Sequence, residues 1–96
     1  MQFILTGNDG TDPQAPERRM NSRPSHLENI AVMKKNGWFV FGGAILTEAG
    51  NMAGSVIVYD VPDRAFLDKL LESEPYIINK VWVKYDIKPF RVAVIA

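Results

Sequence analysis

The apolar positions come in short runs separated by polar or glycine-rich punctuation, and their spacing predicts the elements. Phe3-Ile4-Leu5 is apolar on both faces of a strand, as in a central strand covered above and below, and Gly7-Asn8-Asp9-Gly10 reads as its end. From Asn8 to Arg23 the chain is polar, with Pro13, Pro16 and the cluster Glu17-Arg18-Arg19. This predicts a loop longer than the usual ~4 to 6 residues, and therefore mobile or functional. Pro24 suits the first position of a helix, and Arg23 before it is biased away from helix. The first helix is thus expected over Pro24–Asn36, with Gly37 as its stop. Leu27, Ile30, Ala31 and Met33 form its apolar stripe, and at ~100° per residue His26 falls at the stripe's edge, half-buried.

Trp38 to Leu46 and Ser55 to Tyr59 are dense in aromatic and β-branched residues and flank a turn around Gly50-Asn51, so they predict an antiparallel pair. Pro62-Asp63 opens a second helix with Asp63 as N-cap and Phe66, Leu67, Leu70 and Leu71 inward. Pro75 interrupts it and begins a short separate turn through Asn79. Val81 to Ile87 alternates as a last strand, and Lys88-Pro89-Phe90 is expected to perturb its phase. The tail, Arg91 to Ala96, is apolar enough to pair or pack.

This order of elements is an α+β, ferredoxin-like βαββαβ fold, a four-stranded antiparallel sheet with two helices on one face. The other face is left bare, yet Val56 and Val58 alternate with Ile57 and Tyr59, and Trp38 and Val40 with Phe39 and Phe41. A one-sided sheet alternates apolar with polar, so the bare face is expected to pack against a second copy as a homodimer.

Composition narrows the function classes. The 96 residues suit a single domain over residues 1–96, and 47% hydrophobic with 23% charged residues is a folding composition. With 11 basic and 11 acidic residues there is no net field to attract nucleic acid or an anionic membrane. No run approaches the ~18 apolar residues of a membrane helix, and the start of the chain does not resemble a signal peptide. There is no cysteine, so a thiol nucleophile, a disulfide and a thiolate metal site are all excluded, and a cytoplasmic location is expected. One histidine makes too small a donor set for structural zinc, and no cofactor is expected. Gly37-Trp38-Phe39-Val40-Phe41 has the wrong spacing and strand for an RNA-binding aromatic motif, and Gly42, Gly43 and Gly50 form no phosphate loop.

Arg19, then Arg23-Pro24-Ser25-His26-Leu27, Glu74-Pro75-Tyr76 and Ile87-Lys88-Pro89-Phe90 occur in this order on the predicted elements. Together they resemble the YciI-like (YCII-related) proteins over nearly the whole chain. The resemblance implies a small dimeric α+β barrel of ferredoxin-like topology, in which a histidine paired with an aspartate lines a pocket taken to be an active site. Relatives of that barrel include muconolactone isomerase-like enzymes and a dehydrochlorinase acting on chlorinated hydroquinones. His26 matches the family histidine, and Arg19 and Arg23 match its loop arginines. Glu74 stands where the family pattern has aspartate, and Gly43-Ala44 where Gly-Pro is common.

The residues themselves carry two readings. An imidazole titrates near 6.5, so His26 suits acid–base chemistry; a helix N-terminus would favour its neutral form and a nearby carboxylate its cation. Were the second helix to run on, Glu74 would share a face with Leu67, Leu70 and Leu71 and need a partner in an apolar region, for which His26 is the candidate. Glu74 would then orient the imidazole; otherwise it caps the turn at Pro75. Arg19 and Arg23 would clamp a carboxylate or phenolate, or else lie solvated in the loop, as Arg18 is expected to. Asp9 and Asp86 fit ordinary loop and strand-surface roles, and Trp38, Phe39 and Phe41 fit core or dimer interface, with the lining of an apolar pocket as the alternative for one of them. The expectation is a lyase or isomerase acting on a small anionic metabolite, aromatic or lactone, with catalytic His26 and Glu74 and substrate-binding Arg19 and Arg23. The alternative is a non-catalytic small-ligand-binding or accessory dimerisation module.

Overall fold

The computed structural model describes residues 1–96, in the order β1 (Gln2–Asp9), α1 (Ala15–Lys35), β2 (Phe39–Leu46), β3 (Met52–Asp60), α2 (Arg64–Leu71), α3 (Pro75–Ile78) and β4 (Trp82–Phe90). The strands form one four-stranded antiparallel sheet in the order β2-β3-β1-β4. This is the ferredoxin-like arrangement that the element pattern predicts. Phe3 and Leu5 lie opposite Tyr59 and Ile57, and all four face the helices, where Met33, Leu67, Leu71 and Tyr76 close the core. Asp63 caps α2 as expected, its Oδ1 accepting from the Phe66 N–H at 2.8 Å. Gly37, at φ 79°, takes the chain out of α1.

The first helix departs most from expectation. The stretch read as a loop is helical from Ala15, so Pro24 lies inside the helix instead of opening it. An interior proline lacks the N–H for one helical bond and disfavours the helix by ~3 kcal/mol. Long-range contacts hold the N-terminal half in place regardless. Arg19 pairs with Asp9, Asn79 Nδ2 donates to Ser22 Oγ at 3.1 Å, and Arg18 Nε donates to the Lys80 carbonyl at 3.1 Å. Pro16, in the first turn, and Glu17 just after it are the actual start signals.

The buried face of α1 is also different from the expected stripe. It reads Ala15, Arg19, Ser22, His26 and Met33, which fall within about 60° of one another at 100° per residue. Three of these are polar or charged, so the helix is only weakly amphipathic. Leu27 and Ala31, expected inward, are exposed, and His26, expected half-buried at the edge, is buried at 7% exposure.

Smaller corrections concern the strands. β1 continues through Gly7 and Asn8 to Asp9 because the glycine admits a neighbour: a Cβ at Gly7 would lie 2.6 Å from the Trp82 ring. β4 runs on through Pro89, which an edge strand tolerates. The tail is tied down only at Val92, whose N–H donates to Gln2 Oε1 at 2.7 Å; beyond it Val94 is 98% and Ile95 89% exposed. The ladder has run out there, since β1 begins at Gln2 opposite Phe90. On the face away from the helices, Ile4, Val56, Val58, Phe41 and Ile45 make an apolar strip, whereas β4 presents Lys84, Asp86 and Lys88.

Candidate functional site

α1, β1, β3, α3 and β4 bring their polar inward residues to one place between helix and sheet. Glu74 is the N-cap of α3, and its side chain is completely buried. Its Oε1 is hydrogen-bonded to His26 Nδ1 and accepts from the Tyr76 N–H at 3.3 Å, while Oε2 accepts from Asn29 Nδ2 at 3.3 Å. The two roles weighed for Glu74, capping the turn and holding the imidazole, thus coexist on one oxygen. With the Nδ1 hydrogen donated to the carboxylate, the neutral ring carries its lone pair on Nε2, which has no hydrogen-bond partner in the protein.

The ring is also fixed by stacking. Tyr76 lies parallel to it, centroids 3.8 Å apart and 7° between planes, and Trp82 meets it edge-on at 6.2 Å. His26 stands in the middle of α1, not at its start, so the helix N-terminus does not act on it. Burial pushes the Tyr76 phenol above its ordinary pKa, against the opposing pull of the Arg19 and Arg23 charges.

Arg19 and Arg23, equivalent by sequence, are placed differently. Arg19 is 4% exposed; its Nη1 donates to both Asp9 oxygens at 2.8 and 2.9 Å, and its Nη2 donates to Ser55 Oγ at 2.9 Å. Its guanidinium lies 4.9 Å from the centre of the Tyr76 ring, and its Nε has no acceptor. Asp9, expected as an ordinary loop carboxylate, is therefore a buried counter-ion. Arg23 is half-buried and has no carboxylate partner.

His26, Arg19, Arg23, Ser55 and Tyr76 line one side of a cavity of about 180 Å³. The opposite wall comes largely from β2, where Gly42, Gly43 and Ala44 take up little volume beside Phe39. Gly42 and Ala44 share the face of Ile57 and Ser55, so longer side chains at these two positions would project toward the cavity. Across the fold, His, Asp and Glu side chains nowhere gather in threes.

The YCII-related domain model matches residues 1–91. The chain belongs to the YCII-related family. This YCII-related domain is 31% identical over 77 residues to aspercryptin biosynthesis cluster protein B of Emericella nidulans, an alignment covering 73% of this chain and 49% of that protein. The chain thus spans about half the length of the curated relative it matches. Among solved structures it is similar to 5-chloro-2-hydroxyhydroquinone dehydrochlorinase (TftG) of Burkholderia phenoliruptrix, in complex with 2,5-dihydroxybenzoquinone. That match has a TM-score of 0.81 at 17% identity, covering 97% of this chain and 96% of that one. A conserved protein of Methanosarcina mazei matches with a TM-score of 0.60 at 14% identity, over 95% and 94% of the two chains. At such identities these structures establish a shared fold.

Sequence reasoning missed Asp9, Asn29, Ser55 and Trp82 as members of this cluster. Ser55 had a signal: it is the polar residue in a strand phase otherwise held by Ile57 and Tyr59. Asp9 had none, because its burial depends on a helix where a loop was expected.

Proposed function

We propose that this YCII-related protein is a small homodimeric enzyme of lyase or isomerase type acting on a small, anionic, single-ring metabolite, aromatic or lactone. His26 is the general acid/base, Glu74 its positioning residue and Arg23 the counter-charge for the anion. The observation that supports it most is the pairing of His26 Nδ1 with a fully buried carboxylate, while Nε2 is left without a partner in a residue that lines the cavity. In that tautomer Nε2 accepts a proton from substrate, and the carboxylate at Nδ1 stabilises the imidazolium that results. The imidazolium then returns the proton to another ring atom, giving an isomer. Alternatively, a leaving group departs with its electron pair as the new double bond forms, and the proton passes to solvent.

Cavity size supports the substrate class, because an apolar cavity of ~150 Å³ accepts benzene. The dehydrochlorinase of like fold, with its quinone ligand, points to the same class of ring. Arg19, whose outer nitrogens are taken by Asp9 and Ser55, supports the site from behind instead of gripping substrate.

Purified protein assayed against lactones and hydroxyquinones should lose ~100-fold or more of its turnover in His26→Ala, the range typical of acid–base groups. Unchanged turnover in that variant would end the proposal. Tight binding of such a ring with no turnover in the parent chain would select a non-catalytic ligand-binding module.

A further inference from the structure

The structure assigns Ser55 as a fixed hydrogen-bond donor that selects a deprotonated oxygen on the ligand, a specificity-determining role resting on the cavity being the ligand site. A serine hydroxyl has one hydrogen to give and two lone pairs to accept with. Both of its neighbours can only donate. Arg19 Nη2 reaches Ser55 Oγ at 2.9 Å and Trp82 Nε1 at 3.1 Å, so both lone pairs are occupied. The hydroxyl hydrogen must take the remaining direction. Ser55 finds no acceptor within the protein, and it forms part of the cavity wall.

Rotation is closed off by the surroundings. Turning the hydroxyl hydrogen toward either nitrogen would set two donors against each other in a site where Ser55 is 3% exposed. The backbone is equally fixed, for β3 is paired on both sides, with Ser55 opposite Gly7 on one strand and Ala44 on the other. Gly7 makes the arrangement possible, since a Cβ there would collide with the indole that reaches Ser55.

Charge strengthens the donor. Hydrogen bonds in a chain polarise one another, and the first donor here is a guanidinium. Arg19 itself is neutralised by Asp9, so its effect on the ligand passes through the Ser55 hydroxyl. Such a group donates more strongly to an oxygen carrying no proton, a phenolate, enolate or carboxylate, than to the same oxygen once protonated. Arg23 adds a second cationic wall to the same cavity.

The probe for the test is 4-nitrocatechol, whose absorbance reports ionisation of the ring hydroxyl. The parent protein should bind the phenolate form in preference and move the ionisation of the bound probe to lower pH. Ser55→Ala should weaken phenolate binding about tenfold and move the bound probe's ionisation back up by about one pH unit, leaving affinity for the protonated probe unchanged. Ser55→Cys, which keeps the volume and replaces a good donor by a poor one, should reproduce the shift with the thermal midpoint closer to the parent's. If both variants bind the two forms as the parent does, or lose both equally, Ser55 is structural and the inference fails alone. If the parent binds neither form at millimolar concentration, the cavity is no site for such anions, and the proposed function fails with it.

Discussion

Tyr59 carries the one buried hydroxyl without a hydrogen-bond partner, in a side chain with no exposure at all. An unsatisfied buried polar group costs about 1 to 3 kcal/mol, while the ring around it contributes to the core as phenylalanine would. Tyr59→Phe should therefore raise stability by about 1 kcal/mol, read from the urea midpoint at neutral pH. The same residue sets a pH dependence. Burial first, and the Glu74 charge second, push the Tyr59 phenol far above its ordinary value, and burial does the same to Tyr76. Both phenols are neutral in the native state at a pH where the unfolded chain would ionise them. Their contribution is thus intact below about pH 10, the unfolded value, and is lost as pH rises beyond it. Urea midpoints should be level up to that point and then fall, with a shallower fall in Tyr59→Phe; an unchanged slope would remove Tyr59 from the account. His26, Glu74 and Ser55 each make sense at this scale only through a neighbour distant in the chain, with Glu74 48 residues from His26.

Elements show why the site was partly legible. Asp63 at the start of α2, Gly37 after α1 and Pro75 at the start of α3 act through local backbone chemistry, and each acted as its residue type predicts. α1 was misread for a physical reason. A hydrophobic stripe is a good guide when a helix buries apolar residues, whereas α1 buries Arg19, Ser22 and His26 and leaves Met20, Leu27 and Val32 exposed. A helix that lines a polar site inverts its own signal. Pro24, exposed in the interior of α1, remains unfavourable there. Replacing it by alanine restores a helical N–H, a gain of ~3 kcal/mol less up to ~1 kcal/mol for the stiffness proline lends the unfolded chain. Pro24→Ala should consequently raise the chemical-denaturation free energy by about 2 kcal/mol. A loss of stability would mean that the proline ring itself is needed to seat Arg23 and His26.

At the scale of the molecule, the sheet has one face under the helices and one open. Phe41, 48% exposed, and Ile45, 38% exposed, sit on the open face beside Val56 and Ile4, too apolar a strip for water to be its natural neighbour. This strip is the surface through which the proposed homodimer would pack. Light scattering on a size-exclusion column should give the mass of two chains, and Phe41→Glu should give one, with an unchanged far-ultraviolet circular dichroism spectrum. A parent chain that stays monomeric at micromolar concentration would exclude it. β4 limits the interface, because its Lys84, Asp86 and Lys88 charge one side of the same face.

Local chemistry and periodicity were sufficient for the element order, the ferredoxin-like pattern it implies and the helix signals at Asp63 and Gly37, since these depend on neighbours within a few positions, while motifs spread along the chain carried the resemblance to the family. The motif also marked His26, Glu74, Arg19 and Arg23. What each of them does was decided only when the chain closed on itself. Two arginines four positions apart on one helix became unlike groups, because two neighbouring strands placed Asp9 and Ser55 under one and left the other facing the cavity without a carboxylate. Burial, counter-ion and hydrogen-bond direction are properties of surroundings assembled from five separate elements, and no window along the sequence contains them.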